Sequence, residues 1–213
     1  DFTAALYGAA LDVKEVLIYT DVNGMYTANP QIVPHAYSLK DISYQEAMEL
    51  SHFGAKVLYP PTLQPLLDKQ ISMRIKNTFK PDEDGTLISR SSEKNFRWVT
   101  GITHIDSIKL LNIEGSGMVG IPGFSKRFFE VLFQENINVV LITQASSEHS
   151  ICIAVKDDEA ELAKEALDEA FEVEIQYKKI KPVEIEENVA IVALVGDRMK
   201  SHHGLSGKMF SAL

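Results

Sequence analysis

A Thr-Asp pair at Thr20 and Asp21, followed by Gly24, Tyr26 and then Asn29-Pro30, is the phrase in this chain best suited to chemistry. It leaves a short apolar run at residues 16–19 that reads as a buried strand. In open α/β sheets, ligands gather at the carboxyl ends of strands, where backbone donors and short side chains are exposed. A nucleotide would suit that place, and so would an ordinary turn. A second phrase, Phe53-Gly54-Ala55-Lys56-Val57, sets a lysine just after a glycine that is free to turn left-handed. Lys56 there either reaches a phosphate as a point charge or is a solvated surface lysine. A third phrase, Ile75-Lys76-Asn77-Thr78 with Gly85-Thr86, is a strand leading into a polar turn. Further on, the glycine-rich loop 115–123 opens a helix and exposes backbone donors suited to a carboxylate. Gln144 ends an apolar run and offers both a donor and an acceptor.

These groups need elements to hold them. Residues 1–11 carry apolar side chains at helical spacing, with Asp1 at the N-terminus where a carboxylate is favoured. Ser43 and Glu46 form a capping-box pair for a helix through Ala47, Met48 and Leu50. Thr62 opens another helix, and residues 71–75 alternate like a strand. The polar stretch 89–95 has no periodicity and marks a boundary. Beyond it, the order predicted is strand (107–113), helix from Phe124, strands (137–143 and 150–155), helix (157–171) and a closing strand at 172–177. That β-α-β-β-α-β order is the ferredoxin-like unit.

An internal repeat follows at an offset of 81 residues. Gly115, Met118, Gly123, Ser125, Phe129 and Leu132 recur as Gly196, Met199, Gly204, Ser206, Phe210 and Leu213. A duplicated module accounts for this, and its second copy stops in its first helix. The chain also opens inside a helix with no initiating Met, so both ends read as cuts in a longer polypeptide.

Composition narrows the classes. The formal charge of -9 is spread along 213 residues without a basic patch, which argues against nucleic acid as a partner. No apolar run has the length of a membrane span. The one cysteine, Cys152, sits in the apolar run 151–155 as a small buried side chain and fits a reducing, cytoplasmic compartment. His104, His149, His202 and His203 match no zinc spacing, and no metal site is assigned.

Taken together, the phrases at residues 1–5, 20–27, 43–50, 53–58 and 85–88 resemble aspartate kinase in order and spacing. The glycine-rich loop and the wording of residues 140–148 resemble the ACT regulatory repeats that follow that kinase domain. Thr143-Gln144-Ala145-Ser146-Ser147-Glu148 is most similar to the bifunctional aspartokinase–homoserine dehydrogenases, commonly inhibited by threonine. The resemblance implies an α/β fold: a partial amino-acid-kinase αβα sandwich at residues 1–90, a ferredoxin-like ACT unit at 97–180, and the start of a second, truncated one at 185–213. It implies transfer of the γ-phosphoryl of ATP, with Mg2+, to the side-chain carboxylate of aspartate. Asp1 would lie beside substrate and phosphates. Thr20 and Asp21 would meet the nucleotide, Tyr26 the base or ribose, and Lys56 and Val57 would add a later contact to ATP. Met118, Gly120 and Gln144 would line an effector pocket for an amino acid, threonine first, at an ACT-paired homodimer interface. A dehydrogenase part of the parent would add NADP. Two departures weaken the carry-over. Gln31 stands where the family has an arginine, and the glycine-rich amino-terminal half of the site is absent. The fragment alone is therefore expected to be inactive. The rival from another class is a stand-alone amino-acid-sensing ACT module without catalysis.

Overall fold

The structure, a computed structural model, describes residues 1–52, 57–90, 97–118, 122–144 and 149–213. The chain divides into two compact units: Asp1–His104 together with Ile191–Leu213, and Ile105–Ala190.

In the first unit, helix α1 (Phe2–Ala10) leads into strand β1 (Glu15–Thr20). Strand β2 (Asp41–Ser43) passes directly into helix α2 (Tyr44–His52). The predicted capping box is present in both directions. Glu46 N donates to Ser43 Oγ and Ser43 N donates to Glu46 Oε2, each at 3.0 Å. The glycine expected to stop this helix, Gly54, lies outside the described residues. A 3-10 turn at Pro60–Leu63 precedes helix α3 (Gln64–Lys69), and strands β3 (Ser72–Asn77) and β4 (Thr86–Ser89) complete the sheet. Strand order is β1-β3-β4-β2. β1 and β3 are parallel, with Thr20 opposite Asn77, and β3 and β4 are antiparallel. Strict alternation on β3 buries Met73, Ile75 and Asn77 on one face. That face packs with Val16, Ile18, Leu63, Leu66, Ile88 and Val195 in one core.

The second unit is built on a sheet of order β6-β7-β5-β8. Strand β5 (Gly101–Glu114) runs antiparallel to β7 (Ser150–Lys156), and β7 is antiparallel to β6 (Leu141–Gln144). Helix α4 (Phe124–Gln134) and helix α5 (Ala160–Ala170) pack together, and Phe128, Leu132, Leu167 and Phe171 share the core with Ile151 and Ile153. The ferredoxin-like expectation holds for the sheet, with one correction. Residues expected as its closing strand form helix α6 (Glu172–Gln176), and the fourth strand is β8 (Glu184–Val195). Glu172, Glu174 and Gln176 are good helix formers, and Gln176 Nε2 donates to Glu172 Oε1 at 2.9 Å across one turn. Two apolar residues in alternation, Val173 and Ile175, were too few to impose a strand. β6 is also shorter than the predicted 137–143 and begins at Leu141.

The internal repeat is visible in the backbone. Gly123 before α4 and Gly204 before helix α7 (Leu205–Ala212) occupy the same left-handed region, at φ 89° and 86°. A short 3-10 turn precedes each glycine. The second copy is held by the first unit: Thr100 N donates to Val195 O at 2.7 Å, and Trp98 stacks on His202 with centroids 4.4 Å apart. α7 carries no buried residue, and Phe210 is exposed. No helix among the described residues is long and apolar enough to cross a membrane.

Candidate functional site

Two places collect the residues singled out by chemistry, one in each unit. In the first unit, the parallel strands β1 and β3 end side by side, and their last rung is extended by Thr78 N donating to Thr20 O at 2.8 Å. Thr20 and Asp21 sit at this carboxyl end. Thr20 Oγ1 donates to Asp21 Oδ1 at 3.1 Å, and the Asp21 carboxylate is solvent-exposed. The chain then passes through Val22 and Asn23 to Gly24 and the buried Met25. Tyr26 bridges to Ser38, and Leu39 N donates to Met25 O at 2.7 Å, so residues 25–27 and 37–39 run as a short antiparallel ladder. Gln31 is exposed, its N–H taken by Asn29 Oδ1 at 3.0 Å in an Asx turn.

The other expected residues of this site are more scattered. Asp1 is the N-cap residue of α1 and makes no side-chain capping bond. Residues 11–14 form a tight connection, with Val13 N on Gly8 O at 3.1 Å, that turns the chain from α1 into β1. Val57 packs against the first core. Lys56 lies outside the described residues. The structure therefore brings Thr20, Asp21 and Tyr26 onto one short segment, while no described contact joins Asp1 or Val57 to them. Asn77 and Thr86 hold this segment, although the sequence shows them only as part of a strand and a turn. The signal was a polar residue at an inward-facing strand position.

In the second unit, the glycine-rich loop and the end of β6 enclose a cleft of about 260 Å³ lined by Met118, Pro122, Gly123, Phe124, Ser125, Lys126 and Gln144. Met118 and Gln144 both line it. Gly120, the third residue named for this pocket, lies outside the described residues. Met118 and Phe124 are buried and form the apolar floor. The first N–H groups of α4 have no intrahelical partner, and Phe124, Ser125 and Lys126 of its first turn line the cleft. An anionic group is favoured there by the helix dipole and by the lysine. In the sequence Phe124 marks only a helix start and Ser125 only a repeat position, and Lys126 carries no signal of its own.

Electrostatics elsewhere in the second unit is structural. The Arg127 guanidinium beside Glu174 holds that carboxyl below the usual range. Lys109 meets Glu187 at 2.7 Å and Asp157 at 3.4 Å, which raises its ammonium. Burial pushes the Cys152 thiol up, which suits an inert side chain. Among the described residues, no group of three or more His, Cys, Asp or Glu could hold a metal ion.

The two units are of known kinds. Residues 1–77 match the amino acid kinase family, and residues 111–171 match an ACT domain. All 213 residues align at 41% identity with the bifunctional aspartokinase/homoserine dehydrogenase of Haemophilus influenzae, covering 26% of it. They align equally well, at 41%, with the chloroplastic bifunctional aspartokinase/homoserine dehydrogenase 2 of Arabidopsis thaliana, covering 24% of it. Among solved structures, Clostridium acetobutylicum aspartate kinase superposes with a TM-score of 0.85 at 28% identity, over 100% of this chain and 48% of that one. E. coli aspartokinase III in complex with aspartate and ADP gives 0.80 at 30% identity, over 99% and 46%. Over its whole length the chain is similar to aspartate kinases, the bifunctional enzymes among them, and it spans about a quarter of these curated relatives.

Proposed function

We propose that this chain supplies the nucleotide side of an aspartate kinase and a regulatory unit that takes up a free amino acid, threonine. In the full enzyme ATP, with Mg2+ held largely by its phosphates, gives its γ-phosphoryl to the aspartate side chain. Thr20, Asp21, Tyr26, Lys56 and Val57 serve the nucleotide, and Asp1 stands beside substrate and phosphates. A homologue, E. coli aspartokinase III, is known with aspartate and ADP in an R-state and with lysine and aspartate in a T-state. An amino-acid effector acting through the ACT unit fits that pair, and an ACT-paired dimer is part of the same proposal. A dehydrogenase part with NADP belongs to the bifunctional relatives and is proposed for the parent of this chain. The single cysteine suits a reducing compartment, the cytoplasm.

The observation that carries the reading is the cleft at the start of α4. Its free backbone N–H groups and Lys126 suit the effector carboxylate. The Gln144 amide suits the amine and the hydroxyl, which is what separates threonine from lysine or methionine. Calorimetric titration of the chain with threonine, lysine and methionine tests this. Threonine is expected to bind and Gln144→Ala to abolish that binding. Silence of all three at millimolar concentration overturns the effector assignment. In a coupled ADP-release assay with ATP and aspartate, the 213-residue chain is expected to give no turnover, because phosphoryl transfer needs the whole positioning frame. Turnover above the blank overturns that expectation.

A further inference from the structure

β3 alternates so that Met73, Ile75 and Asn77 all face the core, and the third of these is a carboxamide only 7% exposed. A buried amide costs free energy unless its hydrogen bonds are met. Here they are met, and none of them by the sheet. Asn77 Nδ2 donates to Asn23 Oδ1 at 2.5 Å and to Asp21 O at 3.4 Å, while Asn77 Oδ1 accepts from Phe79 N at 2.8 Å. The sheet's own last bond, Thr78 N to Thr20 O, is closed by backbone alone. Its amide N–H groups are therefore committed to the loop after β1, and its oxygen to the turn after β3. A second buried side chain fixes the far end of that loop. Met25 N donates to Thr86 Oγ1 at 2.9 Å, and Thr86 Oγ1 donates to Leu39 O at 2.5 Å. Between the two anchors Gly24 sits at φ 117°, where a Cβ would collide with the Thr86 hydroxyl. The loop is held rigidly from inside, while Asp21 is exposed and Thr20 half-buried.

We propose that Asn77 is the positioning residue of the nucleotide loop, seconded by Thr86. Resting on the nucleotide reading above, this assigns Asn77 no contact with ATP: it fixes Asp21, Val22 and Asn23 so that binding does not have to order them. Preorganisation of this kind raises affinity by removing the cost of ordering a loop on binding.

Hydrogen exchange and calorimetric titration with Mg·ADP test the assignment on the 213-residue chain. The variants are Asn77→Asp, which keeps the shape and removes both donors, Asn23→Ala, which removes the same bond from the solvent side, and the two combined. Each single variant is expected to speed exchange at residues 22–24, leave exchange within β1 and β3 unchanged, and weaken Mg·ADP by about three- to tenfold, the worth of one buried hydrogen bond. The double variant is expected to lose no more than the worse single one. Unchanged loop exchange and affinity in both singles, or strictly additive losses, overturn the assignment to Asn77 alone. A wild-type chain that binds no Mg·ADP overturns the nucleotide reading and this assignment with it, so the two failures are told apart by the wild-type titration.

Discussion

Glu46 shows how much one side chain can do. It is 3% exposed, yet its carboxylate accepts from Ser43 N at 3.0 Å, from Thr100 Oγ1 at 2.5 Å and from Asp197 N at 3.2 Å. A buried charge is tolerable when hydrogen-bonded in this way. The neighbouring Asp197 is less well served. Burial pushes its carboxyl up, the Ser43 hydroxyl and Arg198 pull it down, and the Glu46 charge pushes it up again. A carboxyl raised on folding binds its proton more tightly in the native state. Its contribution to stability is therefore present below the unfolded value of 3.8 and is lost as pH rises through the folded value. Asp197→Asn is expected to raise the thermal midpoint at pH 7, with the gain vanishing near pH 3.8, as followed by circular dichroism. An unchanged midpoint at pH 7 would show that the Asp197 charge is not held at a cost. The capping box was legible in the sequence because its two residues stand three apart. That the same carboxylate also meets residues 54 and 151 positions away was not, since no local spacing records a tertiary partner.

At the scale of elements, α4, α5 and α6 are tied by Arg127. Its guanidinium meets both oxygens of Glu174 at 2.6 and 3.0 Å, bonds to Ala170 O, and lies 4.1 Å from the centre of the Phe171 ring. Glu174 has a depressed carboxyl, so its contribution is present above the unfolded value of 4.5 and is lost as pH falls through the folded value. The pair is partly exposed, at 45% and 21%, which limits its worth through solvent screening. Arg127→Leu is expected to cost roughly 1 kcal/mol in urea unfolding at pH 7, and the difference should shrink toward acid. This tie also explains why residues 172–176 are helical. A five-residue alternation is compatible with either period, and partners on α4 decide it. The long apolar periodicities of α4 and α5, by contrast, needed no tertiary information. The cleft in the second unit was legible as a glycine-rich loop plus Gln144, whereas Lys126 was not, because a lysine in a first helical turn looks like any other surface lysine.

At the scale of the whole molecule, two separate cores carry the stability. Val195 and Leu66 belong to the first, and Phe171 and Phe128 to the second. Phe171 is fully buried, and Phe171→Ala is expected to cost the second unit about 3–5 kcal/mol by the cavity it leaves. Differential scanning calorimetry should show this as a shift confined to one part of the unfolding profile. A uniform shift of the whole profile would mean that the two cores melt as one.

The first unit is discontinuous, and this has a consequence for how it is made. Val195 completes its core, and Asp197 completes the bonds to Glu46, but the ribosome reaches them only after the 86 residues of Ile105–Ala190. At about 5–20 residues per second, that stretch takes roughly 4–17 s to synthesise. During those seconds the nascent chain holds helix α2 with a carboxylate whose partner Asp197 N does not yet exist, while the inserted unit gains its own residues as it is made. The second unit should mature first and the first unit last.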